Sequence, residues 1–259
     1  MTRNKFCKRF ELGIVIVIFL LTGCREATSV KGNPVVDPDG ITSSAAKHGK
    51  GCGDQADKDY VPLLKLNGVT YMQNYNSDIN NLKKGKKVGE IRYRMSDNAC
   101  TGYIMQDGDA TVLREGTVLY EVLGYTTSAR LWAGDFLYEA TVNPKAKTIN
   151  DLLDVAGKIK TVRFISGKDG ITHLKDFTPE SAASFAQAYP KLKYVPFNKL
   201  FKETQSWSGG MYWIQVELND GSSIQITYNL KYAAFNPAGY ATLELASLVE
   251  EERKRIYTK

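Results

Sequence analysis

Histidine is almost missing from this chain. Two occur in 259 residues, His48 and His173, too few for a histidine-built zinc site or for most Ser–His and Cys–His catalytic arrangements. No Gly-x-Ser-x-Gly and no Cys-x-x-Cys occurs, which removes the nucleophile elbow and the thioredoxin-type redox motif. Aromatic side chains are absent from residue 20 to residue 59. No apolar run reaches the ~20 residues that a membrane-spanning helix needs, and no repeat at solenoid period is visible. A strong excess of one charge is lacking too. The whole chain carries +6, but Arg3, Lys5, Lys8, Arg9 and Glu11 belong to the first segment, and the chain beyond Cys24 holds 30 basic and 27 acidic residues, a net +3. A balance that close gives no support to nucleic-acid binding.

What is present begins with the N-terminus. Four basic residues precede an apolar stretch from Leu12 to Leu21, broken only by Gly13, and Leu21-Thr22-Gly23-Cys24 follows. A charged start, roughly ten apolar residues and small residues before a cut site form the secretory pattern. The tetrapeptide resembles the lipobox of bacterial lipoprotein precursors. That resemblance implies cleavage before Cys24, diacylglyceryl transfer to its sulfur and an outward-facing, membrane-held product. Two acyl chains hold a protein stably where one does so marginally. Arg25 stands where an aspartate would signal inner-membrane retention. Residues 1–23 are thus expected to be a signal peptide, and Cys24 the point of contact with membrane lipid at the extracytoplasmic face of the cell membrane.

Residues 24–59 are rich in glycine, proline and serine and cannot bury enough apolar surface to offset chain entropy. They are expected to act as a flexible tether, about 30–35 Å across as a coil and up to ~115 Å when stretched. The texture changes at Tyr60. Ile91–Met95, Thr161–Phe164, Ile214–Leu218 and Ile224–Tyr228 alternate apolar and polar residues, the period of half-buried strands. Asn67-Gly68 and Asn219-Asp220-Gly221-Ser222 supply hairpin turns. Thr178-Pro179-Glu180 opens a helix that Pro190 stops, Ile149–Val155 suits a short helix ended by Gly157, and Leu243–Ile256 suits a third. The order predicts an α+β fold, with an N-terminal mainly antiparallel β part (60–143) followed by a helix-strand-helix-hairpin-helix part (144–259).

Several stretches carry a second resemblance: Leu66-Asn67-Gly68-Val69-Thr70-Tyr71, Lys87-Val88-Gly89-Glu90-Ile91, Asp107–Leu113, Glu115–Tyr125 and Asp151–Ile159. Over roughly Tyr60 to Tyr228 the chain resembles a group of uncharacterised lipoproteins from Gram-positive bacilli. The matching positions are turn glycines and core residues. The resemblance implies fold and anchoring and brings no catalytic set.

Candidate chemistry is sparse. Cys52 and Cys100 could pair outside the cell, closing a loop worth ~3–4 kcal/mol, or remain free thiols. Asp107-Gly108-Asp109 reads as a tight turn, because calcium needs six to eight oxygens and hydrophobic residues follow at once. His173 reads as a buried or edge residue of a strand. Trp207, Tyr212 and Trp213 flank a Gly-Gly loop and could stack on a sugar or grip a peptide; Tyr212 or Trp213 could equally enter the core. Lys83-Lys84-Gly85-Lys86-Lys87 could meet anionic wall polymers or headgroups, but a short charge run is more often a solvated turn. No catalytic or metal residue and no cofactor is nominated. The function expected is a binding or interaction module that contacts an envelope polymer or protein. An envelope hydrolase using carboxylates and an accessory or inhibitory subunit of a membrane protein are the rival classes.

Overall fold

The computed structural model describes residues 60–237 and 239–257. Cys24, Cys52 and the segments 1–23 and 24–59 lie outside the described residues. No helix among the described residues is long and apolar enough to cross a membrane.

The expected architecture is overturned. Strand outweighs helix, 35% to 21%, in two sheets of fourteen strands among the described residues, so this is a mostly β protein and not a β part followed by helices. The reason is physical. Six of the strands lie beyond residue 158, and several are two or three residues long, too short to display a period of two.

The first sheet contains β1 (Leu63–Leu66), β2 (Val69–Gln73), β3 (Lys84–Glu90), β4 (Tyr93–Arg94), β5 (Asp109–Ala110), β6 (Val118–Val122), β7 (Arg130–Ala133) and β8 (Phe136–Val142). Its strands run in the order β3-β6-β7-β8-β2-β1-β5-β4 and curl into a half-barrel. The β1–β2 hairpin closes at Asn67 (φ 53°) and Gly68 (φ 80°), the left-handed pair that the Asn-Gly signal predicts. The lysine run is an edge strand, β3, and not a turn. Charged residues on an unpaired edge discourage further strand addition. The Ile91–Met95 alternation yields only β4, because a single helical turn, α1 (Met95–Asn98), takes over at Met95.

The second sheet holds β9 (Ile159–Ile165), β10 (His173–Asp176), β11 (Met211–Leu218), β12 (Ser223–Asn229), β13 (Ala234–Asn236) and β14 (Gly239–Tyr240), ordered β10-β9-β11-β12-β13-β14. β11 and β12 form the hairpin expected from Asp220-Gly221. One face of this sheet, with Val162, Phe164, Ile214, Val216 and Tyr228, is buried and belongs to the main core together with residues of α3 (Pro179–Ala188) and α5 (Leu243–Lys254).

The helices begin where capping chemistry places them. In α2 (Ile149–Leu153) Thr148 and Asp151 form a reciprocal capping box, and Asp154 in the left-handed region ends it (φ 52°), three residues before Gly157. Thr178 caps α3 and Thr242 caps α5 by accepting the N–H three residues on, each cap worth about 1 kcal/mol. A further helix, α4 (Phe197–Glu203), has no side-chain cap and no signal in the sequence reading. One apolar core draws on both sheets and on α2, α3 and α5.

Candidate functional site

Trp213 and Tyr212 are neighbours on a strand, so their side chains leave opposite faces. Tyr212 faces the helices. Its ring stands edge-on to Phe164 at 5.7 Å and stacks on Tyr228 at 6.2 Å. Its hydroxyl donates to Glu250, and the Arg253 guanidinium lies 4.7 Å from the ring. Trp213 faces the other way. Cross-strand register sets Trp213 beside Thr227 and Thr227 beside Asn236, so an indole, a hydroxyl and an amide lie abreast on β11, β12 and β13.

That row forms one wall of a groove of about 540 Å³, within the roughly 300–1,000 Å³ of small-ligand sites. The facing wall comes from the end of β2 and the loop after it, with Met72, Gln73, Asn74, Tyr75 and Asn76. Tyr75 and Met72 are 65% and 42% exposed, which leaves their apolar surfaces available. Phe197 and Pro237 also line the groove. Trp207, the third aromatic residue expected at a ligand, instead packs beside Val195, Leu200 and Ala234, with its ring 6.3 Å from Phe197.

The polar groups of the groove fall into two sets. Asn74 is committed: its amide donates to the Ser223 carbonyl (2.8 Å), and its oxygen accepts from the Asn76 N–H. The side chains of Gln73, Asn76, Thr227 and Asn236 make no hydrogen bond among the described residues. Gln225 donates to the Gly170 carbonyl at 2.6 Å and keeps its oxygen for another partner. Amides and hydroxyls both donate and accept, so this set can serve a ligand rich in hydroxyls or amides.

Among the described residues a single carboxylate, Glu139, lines the groove. Arg130 Nη2 donates to it at 2.6 Å, and Arg130 Nη1 donates to Ser222 Oγ at 2.7 Å. Burial pushes the Glu139 carboxyl above its ordinary value, against the opposing pull of Arg130 and a hydrogen bond from Asn74. The network continues to Tyr125, whose ring lies 4.3 Å from the Arg130 guanidinium and whose hydroxyl donates to Asp220 at 2.5 Å. Burial would raise Asp220, but hydrogen bonds from Ser222 and Tyr125 hold it below the usual carboxylate range. These links tie the β11–β12 turn to the first sheet beneath the groove.

Other sequence candidates are placed elsewhere. Asp107 Oδ1 accepts from the Gly68 N–H and Asp109 Oδ2 from the Gln106 N–H and the Tyr103 hydroxyl, so both acids brace turns. His173 lies half-exposed on the edge strand β10, 3.2 Å from Asp176. Cys100 is disulfide-bonded to a partner outside the described residues. No group of three or more His, Cys, Asp or Glu residues suited to a metal occurs among the described residues. A larger hollow, about 660 Å³ between α2 and α3, is walled mainly by Ala156, Gly157, Ala183 and Ala186 with a scatter of polar side chains. It has no aromatic face.

Sequence reasoning missed Thr227, Asn236 and the loop from Gln73 to Asn76. The alternation in Gln225-Ile226-Thr227-Tyr228 does show that Gln225 and Thr227 share a face, but nothing local shows what that face meets. Compared with known families, curated proteins and solved structures, the chain matches no family model, no curated protein and no solved structure.

Proposed function

We propose that this protein is a lipid-anchored binding module at the extracytoplasmic face of the membrane, and that the groove between β11–β13 and the end of β2 holds an uncharged ligand of the cell envelope. The observation that carries the binding part is the lining. The exposed Tyr75 ring and the half-buried Trp213 indole stand beside uncommitted neutral hydrogen-bonding groups, and the one lining carboxylate among the described residues is already paired with Arg130. The anchoring part rests on Leu21-Thr22-Gly23-Cys24 and the leader before it.

A carboxylate hydrolase fits less well. Glycoside hydrolysis by the usual route needs two carboxyl groups flanking one bond, and the groove offers one. Two experiments test the proposal. Replacing Cys24 by serine should move the protein from the membrane fraction to the soluble extracytoplasmic fraction. Titrating envelope extracts should shift tryptophan fluorescence in the parent protein and not in Trp213→Phe. Retention of the serine variant on membranes, or equal fluorescence responses, would refute the corresponding half.

A further inference from the structure

We infer that the ligand of this groove is a neutral oligosaccharide held by side chains. This rests on the binding reading above and names the ligand class. Every strand that lines the groove at its centre is hydrogen-bonded on both sides: β2 by β1 and β8, β8 by β2 and β7, β11 by β9 and β12, β12 by β11 and β13. No strand edge is therefore open there for a peptide to extend the sheet, the mode in which an extended peptide gains main-chain hydrogen bonds.

Recognition must come from side chains, and their types suit a sugar ring. A pyranose has an apolar C–H face and a rim of hydroxyls. Trp213 and Tyr75 offer aromatic surfaces to the first; Gln73, Asn76, Thr227, Asn236 and the Gln225 oxygen offer neutral donors and acceptors to the second. Charge complementarity points the same way. The one lining charge among the described residues, Glu139, is neutralised at 2.6 Å by Arg130, so these residues offer the groove no free cation to attract an acidic polymer and no free anion to attract a basic one. The indole is half-buried and fixed. A side chain at Gly167 would come within 3.0 Å of Trp213 Cδ1, so the ring edge rests against backbone and the stacking platform is set before a ligand arrives, which limits the entropy lost on binding.

The test is calorimetry on the full chain in a sugar-free zwitterionic detergent. The probes are cellotetraose, chitotetraose, tetragalacturonate and capped tetra-alanine. At least one neutral tetrasaccharide should bind, with tetragalacturonate at least tenfold weaker and the peptide undetected. Trp213→Ala should weaken the neutral sugar at least tenfold. Asn76→Ala, at an exposed side chain without a hydrogen-bond partner, leaves folding intact and should weaken it about threefold. Binding of the peptide without any neutral sugar would overturn the ligand class and leave the groove reading standing. Binding by no probe, with unchanged tryptophan fluorescence in envelope extracts, would remove both.

Discussion

Arg130 is the most buried charge in the described chain, 1% exposed. Its removal would leave Glu139 desolvated without a cation. Breaking a buried pair from one side costs about 3–5 kcal/mol, whereas replacing both partners by apolar groups is often neutral or stabilising. Arg130→Met should therefore lower stability by about 3–5 kcal/mol. At about 2–4 °C per kcal/mol for a domain of this size, the melting temperature should fall by ~6–20 °C. The double variant Arg130→Met/Glu139→Met should recover at least half of that loss. A pH signature separates this from simple misfit. Without Arg130, burial acts on Glu139 with less opposition and its folded-state pKa rises further. The folded state then binds the proton more readily than the unfolded state. The deficit shrinks as pH falls towards the ordinary carboxylate range, and it grows as pH rises through the folded value. Thermal melts followed by near-UV circular dichroism between pH 4.5 and 8 would measure both effects. A loss below about 1 kcal/mol, or one independent of pH, would refute the reasoning.

Three further outcomes follow from other contacts. Burial would raise the Glu252 carboxyl, but hydrogen bonds from Ser181, Arg255 and Thr178 override it and hold the pKa below normal; the stability it contributes is present above the unfolded carboxylate pKa and lost as pH falls through the folded value, and Glu252→Ala should abolish that acid sensitivity and cost about 1–3 kcal/mol in urea melts. Gly239→Ala would set a methyl group 2.5 Å from the Lys193 carbonyl oxygen, so the backbone must shift at a cost of about 1–3 kcal/mol, with β14 exchanging its amide hydrogens faster. Tyr212→Phe loses the weak 3.3 Å hydrogen bond to Glu250 and the hydroxyl's contact with Arg253, so it should cost about 1 kcal/mol and leave binding in the groove unchanged; weakened binding would contradict the assignment of Tyr212 and Trp213 to opposite faces.

Features encoded within a few residues were legible from the chain alone. Asn67-Gly68 and Asp220-Gly221 announce their hairpins because positive φ is a property of the turn itself. Thr178-Pro179 announces a helix start because a cap acts within one turn. The proportion of strand was not legible, since β4, β5, β13 and β14 are short and exist by pairing with neighbours. Lys83–Lys87 has the composition of a turn, and only the approach of β6 makes it a strand.

The site divides the same way. Sequence alone determined the composition of the face that carries Trp213, Gln225 and Thr227, because a strand sends alternate side chains to alternate sides whatever its surroundings. It left Tyr212 and Trp213 together as candidate ligand contacts, because the alternation visible in the chain begins at Ile214; β11 starts at Met211 and parts them. Which of the two would enter the core, and which would look onto a groove, was decided by the packing of α3 and α5 on one side of the sheet and the end of β2 on the other. Asn74 reaches Ser223 across 149 positions of chain, and Arg130 reaches Ser222 across 92. Contacts at that separation follow from how two sheets and their helices bury a shared apolar surface, a collective result that no local pattern encodes.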